Sequence, residues 1–197
     1  MHSTMDHQQH TPTTTDAPCA ETSPRQGLVT VFTGDGRGKT TAAIGTALRA
    51  TGCGLRVLIV FFMKGPDFTH GEIVALKDMA LVTVRSYGAP GWAIPGHNNT
   101  NHELQATQAL AYATDEIASG KYDVAVLDEV LNAASLGLLS WEALTHILST
   151  KPAGLELILT GRDVPAELIE RADQVTEMRN IKHPYERGIL ARPGIDY

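Results

Sequence analysis

The sequence predicts an α/β fold with a mainly parallel sheet flanked by helices. Three observations lead there. Apolar runs of strand length alternate with stretches of helical composition along most of the chain. A glycine-rich turn joins the first of those runs to the first helix. A later apolar run stops at the acidic pair Asp128-Glu129, at the carboxyl end of a strand, where such sheets bind their ligands.

Each element has a local reason. Leu28, Val29, Val31 and Phe32 form a short buried strand, closed by Gly34. The turn Gly34-Asp35-Gly36-Arg37-Gly38-Lys39-Thr40-Thr41 follows, and Ala42 to Ala50 has helix composition with Gly52 and Gly54 as stops. Arg56 to Phe62 is a near-continuous apolar run, as expected of a strand covered on both faces. Met63 to Gly71 reads as a loop, Glu72 to Met79 as a short helix, and Leu81 to Ser86 as a strand. Tyr87 to Thr100, with its glycines and prolines, is an exposed, shaped loop. A long helix capped by Thr100 or Asn101 runs to about Ala118, with Leu104, Ala111 and Ile117 as inward candidates. Tyr122 to Leu127 is a further buried strand. Helical stretches cover Val130 to Leu138 and Trp141 to Leu148, Leu155 to Thr160 is a strand stopped by Gly161-Arg162, Pro165 to Ala172 a helix, and Gln174 to Met178 a last strand.

Composition narrows the function classes. The chain has 197 residues, 43% of them hydrophobic, enough for the core of one layered domain. Residues 27–197 are expected to form that domain. Residues 1–26, rich in Thr, Gln and His, are too polar to offset the entropy of folding and read as a disordered arm. A net charge of −6 argues against a broad nucleic-acid surface. No run approaches a membrane span of roughly 20 apolar residues, and no secretory signal core is present. Cys19 and Cys53 make no metal or disulfide pattern, which fits a cytoplasmic protein.

Strand, glycine turn ending in Gly-Lys-Thr and helix form the setting of a phosphate-binding loop. Glycines let backbone N–H groups converge on phosphate oxygens, and the helix N-terminus adds partial positive charge. Lys39 reaches a terminal phosphate in this reading, and the Thr40 hydroxyl ligates Mg²⁺. The usual pattern has glycine where Thr33 stands, and here the glycines alternate at 34, 36 and 38. Asp128-Glu129 is the expected acidic companion, with a carboxylate holding the ion directly or through water. These features give Mg-nucleotide binding without naming the reaction.

Five segments resemble the ATP:corrinoid adenosyltransferases of the cobalamin pathway: VFTGDGRGKTTAAIGTALRATGCG, VLIVFFMKG, DVAVLDEVLNAASLGLL, LILTGR and KHPYERGILARPGIDY. The GDGRGKTTAA loop after threonine and the Gly-Ile-Asp-Tyr ending are specific to that family. The resemblance implies a P-loop NTPase, RecA-like architecture. It also implies transfer of the 5′-deoxyadenosyl group of ATP to the Co(I) of a reduced corrinoid, with triphosphate released. Nucleotides in this family lie in reverse sense along the loop, so that C5′ faces the corrinoid. Gly34 to Thr41 match the triphosphate cradle, and Thr40 and Glu129 the Mg²⁺ (or Mn²⁺) site, with Asp128 as its neighbour. Lys39, Thr40 and Glu129 are thus the catalytic candidates.

Arg49 and Arg162 match family arginines, though each equally suits a surface charge or a helix cap. Trp92, in Gly88-Ala89-Pro90-Gly91-Trp92, matches the tryptophan of a Gly-Phe-Thr-Trp segment that walls the corrinoid; packing on the sheet is the plainer role. The phenylalanine is missing here, one residue is inserted, and Asn180 replaces a proline. The family further implies a homodimer and an electron-donor flavoprotein as partners, and no nucleic acid or membrane. A small-molecule kinase and a regulatory ATPase are the other classes that a phosphate loop allows; the chain shows neither an arginine-bearing lid nor a Cys zinc ribbon.

Overall fold

The computed structural model describes residues 25–66 and 70–196. The arm expected at residues 1–26, with Cys19, lies outside the described residues except for Arg25 and Gln26. Six strands form one sheet: β1 (Val29–Thr33), β2 (Val57–Phe61), β3 (Val82–Ser86), β4 (Val124–Asp128), β5 (Glu156–Thr160) and β6 (Gln174–Glu177). Their order is β3-β2-β4-β5-β1-β6, and every pairing is parallel. Six helices connect them: α1 (Lys39–Gly52), α2 (Gly71–Lys77), α3 (Thr100–Ala118), α4 (Val130–Ser135), α5 (Trp141–Thr150) and α6 (Ala166–Arg171). Among the described residues one 3-10 turn, Pro184–Arg187, follows β6.

Alternation along the central strands makes two cores. Leu58, Val60, Ala125, Leu127, Leu157 and Leu159 face one layer with the buried residues of α3, α4 and α5. Val57, Ile59, Phe61, Val124, Val126 and Ile158 face the other, against Ala43, Ala47 and Ala50 of α1. Those three alanines sit at i, i+4 and i+7, so α1 lies close on the sheet and its N-terminus is held at the end of β1. Burying both faces explains why β2 is apolar throughout and β4 is apolar up to its last residue, Asp128.

The long helix corrects the expected inward set. Ala106, Ala109, Ala113 and Ile117 are buried, whereas Leu104 is 54% exposed and Ala111 is exposed. Positions 104 and 111 are two turns apart on one face, and position 117 falls on the opposite one, so the three could not all point inward. The stripe of alanines wins because it lets α3 approach the sheet closely. α4 also stops earlier than expected. Gly137 takes φ 74°, with Gly137 N–H donating to the Ala134 carbonyl and Leu138 N–H to that of Ala133, a Schellman ending. Among the described residues no helix is long and apolar enough to cross a membrane.

Candidate active site

The turn after β1 is shaped by contact with the chain leaving β6. A Cβ on Gly34 or Gly36 would lie 2.4 or 2.6 Å from the Met178 carbonyl oxygen. Gly36 N–H donates to that same carbonyl at 2.6 Å. Glycine at 34 and at 36 is therefore a packing requirement. Gly38 is the N-cap of α1 with φ 120° and offers no side-chain cap, which leaves the first N–H groups of α1 available to an anion. Lys39 Nζ curls over the turn and donates to the carbonyls of Gly34 (2.6 Å) and Gly36 (2.8 Å). Burial, then the Arg162 guanidinium, holds its pKa below the ordinary lysine value.

The acidic edge is built across three neighbouring strands. Asp128, at the end of β4, is fully buried. Its Oδ1 accepts from Thr160 Oγ1 of β5 at 2.8 Å, and its Oδ2 pairs with Lys64 Nζ, just beyond β2, at 3.0 Å. Glu129 adopts the left-handed region at φ 61°, uncommon for a residue with a side chain, and its N–H donates to Thr160 Oγ1 at 2.8 Å. Burial, then the charge of Asp128, pushes the Glu129 carboxyl above the ordinary carboxylate range.

Turn and acidic edge face a common cavity of about 1070 Å³. Asp35 to Thr41, Lys64, Glu72, Glu129 and Arg162 line it, and the segment following β6 from Arg179 to Asp196 forms a wall. Gly161 brings Arg162 there. A Cβ on Gly161 would meet Leu131 Cβ at 2.5 Å, so only glycine lets the exit of β5 pass against α4. Arg162 N–H then donates to Asn132 Oδ1 at 2.8 Å, and its guanidinium lies 3.5 Å from Asp35 Oδ1. Arg37 pairs with Asp196 at 2.9 Å and donates to the Ile195 carbonyl.

A phosphate-loop cavity of this kind serves many reactions, and similarity to known proteins narrows them. Residues 25–197 match the family ATP:corrinoid adenosyltransferase BtuR/CobO/CobP. The chain belongs to that family. The corrinoid adenosyltransferase of Escherichia coli K12 is 33% identical over 190 residues, 96% of this chain and 95% of the relative. Corrinoid adenosyltransferase CobA of Salmonella typhimurium is 33% identical over 182 residues, 92% of this chain and 91% of the relative. The Pseudomonas aeruginosa corrinoid adenosyltransferase is 30% identical over 182 residues, 92% and 89% of the two chains. The chain is thus an enzyme that transfers the adenosyl group of ATP to a corrinoid.

Within this adenosyltransferase the structure gathers Asp35, Gly36, Arg37, Gly38, Lys39, Thr40, Thr41, Glu129 and Arg162 around one space. Four expected residues lie elsewhere. Gly34 opens the turn without lining the cavity, and Asp128 is fully buried, with Oδ1 accepting from Thr160 and Oδ2 ion-paired to Lys64. Arg49 is exposed in the last turn of α1. Trp92 is 76% exposed on the loop after β3. Lys64, Thr160 and Asn132 are site residues that sequence reasoning passed over. The available signal was a lone cation straight after the all-apolar run of β2, where a charge needs a partner.

Proposed function

We propose that the enzyme forms a Co–C bond between the 5′ carbon of ATP and the Co(I) of a reduced corrinoid, breaking the C5′–O bond and releasing triphosphate. One observation carries this reading: Lys39, the free N–H groups at the start of α1, Glu129 and Arg162 converge on a cavity of nucleotide size. Co(I) is itself the nucleophile, so no side chain has to remove a proton. The work left to the protein is to hold the leaving group and stabilise its growing charge. Lys39 supplies a cation and the turn supplies N–H donors. Arg37 and Arg162 add positive charge at its mouth.

The residues present fit a divalent ion of the Mg²⁺ or Mn²⁺ type. Thr40 and Glu129 offer hard oxygen donors from two sides of the cavity. Among the described residues no group of three His, Cys, Asp or Glu side chains could hold a metal alone. Phosphate oxygens and water complete the coordination in this reading, as is common for Mg²⁺. When bound, the ion neutralises charge on the triphosphate. Trp92 offers an aromatic face for the corrin ring from its loop at the carboxyl ends of the strands. Arg49, exposed and not among the residues lining the cavity, is left with a surface role. Two copies of the chain as a homodimer, an electron-donor flavoprotein as the source of Co(I), and a cytoplasmic setting where ATP and reducing equivalents meet complete the proposal.

An anaerobic assay with ATP, Mg²⁺ and cob(I)alamin tests it. The expected result is the absorbance change of a new Co–C bond with one triphosphate per turnover. ADP and phosphate formed without corrinoid would overturn the reading in favour of an ATPase.

A further inference from the structure

Lys64 is a buried cation on the lining of the same cavity. Its side chain is 6% exposed, and its Nζ lies 3.0 Å from Asp128 Oδ2 and 3.1 Å from Glu72 Oε1. The ammonium also stands 4.5 Å from the centre of the Phe61 ring. Its backbone is fixed as firmly: Lys64 N–H donates to the Tyr87 carbonyl at 3.0 Å, and Ser86 Oγ donates to the Lys64 carbonyl at 2.7 Å. β2 is a direct neighbour of β4, with Phe61 opposite Asp128 in the register. The residues just past β2 are therefore held beside the acidic end of β4.

The consequence concerns Asp128. A carboxylate at the end of this strand, one residue before Glu129, is an obvious second ligand for a divalent ion. Here one of its oxygens accepts from the Thr160 hydroxyl, and the other, buried without a hydrogen-bond partner, is held by ion pairing with the Lys64 ammonium. We infer that Lys64 is a positioning residue that withholds Asp128 from the metal, so that the ion meets one protein carboxylate, Glu129, instead of two. This rests on the proposal that Glu129 holds the divalent ion. The benefit is electrostatic. Each carboxylate that coordinates the ion cancels part of the charge it would otherwise present to the triphosphate, and ligand charge count sets how tightly the ion binds without nucleotide.

Mn²⁺ binding, read from the loss of the free-ion paramagnetic resonance signal, tests this without turnover. In the full chain without nucleotide, Lys64→Met should tighten Mn²⁺ binding about tenfold by freeing the Asp128 carboxylate. Lys64→Arg should keep wild-type affinity, and Lys64→Met combined with Asp128→Asn should return to it. A change below twofold in Lys64→Met, or tightening that persists in the double variant, overturns the inference. If the single variant does not fold, because one buried charge is left unpaired, the neutral double variant decides the matter. Its Mn²⁺ affinity in the presence of ATP should stay within twofold of wild type, and a tenfold loss would make Asp128 a ligand and overturn the inference. Glu129→Gln separates the two readings: if it leaves Mn²⁺ binding with ATP unchanged, the metal-site proposal itself fails.

Discussion

The guanidinium of Arg37 in the glycine turn meets Asp196, the penultimate residue of the chain, at 2.9 Å. Asp196 also takes Arg192 Nε at 2.9 Å, so one carboxylate folds the last residues into a hook over the turn. Both partners are partly exposed, and such pairs contribute little to global stability. The hook is, however, a wall of the cavity. Asp196→Asn should therefore raise KM for ATP on the order of threefold while leaving the melting temperature almost unmoved. A fall in KM would show instead that the tail competes with phosphate for Arg37.

Lys39 makes its two hydrogen bonds only to carbonyls of its own turn, Gly34 and Gly36. Its charge is thus spent on the cavity and not on the fold. Lys39→Ala should lower kcat by roughly a hundredfold or more, as loss of one well-placed donor to a developing anion does elsewhere. Thermal unfolding should change little. Retention of near wild-type kcat would place the triphosphate elsewhere.

Gly36 faces the opposite demand. A Cβ there would meet the Met178 carbonyl oxygen at 2.6 Å and the Arg179 carbonyl carbon at 2.7 Å, both rigid backbone. Gly36→Ala has to push the turn away from β6, at a cost of about 1–3 kcal/mol. Chemical denaturation should register that loss, together with weaker ATP binding, because the turn and the wall after β6 shift as one.

These contacts show what a one-dimensional reading can reach. The strands were legible because both faces of β2 and β4 are buried, leaving uninterrupted apolar runs. The phosphate loop was legible because it is contiguous. The reason for glycine at 34 and 36 was not, since Met178 is more than a hundred residues away. Lys64 and Thr160 escaped for the same cause. They reach Asp128 from β2 and β5, which flank β4 only through crossovers that the chain order does not reveal. The inward face of α3 is legible only in part: Ile117 is buried as expected, but the helical period puts Ala106, Ala109 and Ala113 on the sheet beside it and leaves Leu104 and Ala111 exposed.

Glu72 gives a pH signature. Burial raises its pKa, but the backbone N–H at the start of α2 and the charge of Lys64 more than offset this, and the carboxyl is held below the ordinary value. A depressed folded-state pKa contributes stability that is present above the unfolded carboxylate value and lost as pH falls through the folded one. The melting-temperature gap between wild type and Glu72→Gln should therefore be widest near neutrality and close in the acid range. A gap independent of pH would mean that Glu72 acts through packing alone.

Trp92 closes the set. It is 76% exposed and stands on the loop after β3, a few residues beyond the Lys64 contacts to Ser86 and Tyr87. A large aromatic surface left this open at the carboxyl ends of the strands is poorly explained by packing and well suited to a flat, apolar ring system. In the proposed role it shields one face of the corrin and helps displace the lower axial ligand, which eases reduction of Co(II). Trp92→Ala should then slow reaction from Co(II) substrate with a reductant on the order of tenfold, but slow reaction from pre-reduced Co(I) much less. Thermal stability should hardly change, since little of the ring is buried. Equal losses from both cobalt states would remove the ligand-displacing role and leave Trp92 as a general contact for the corrinoid.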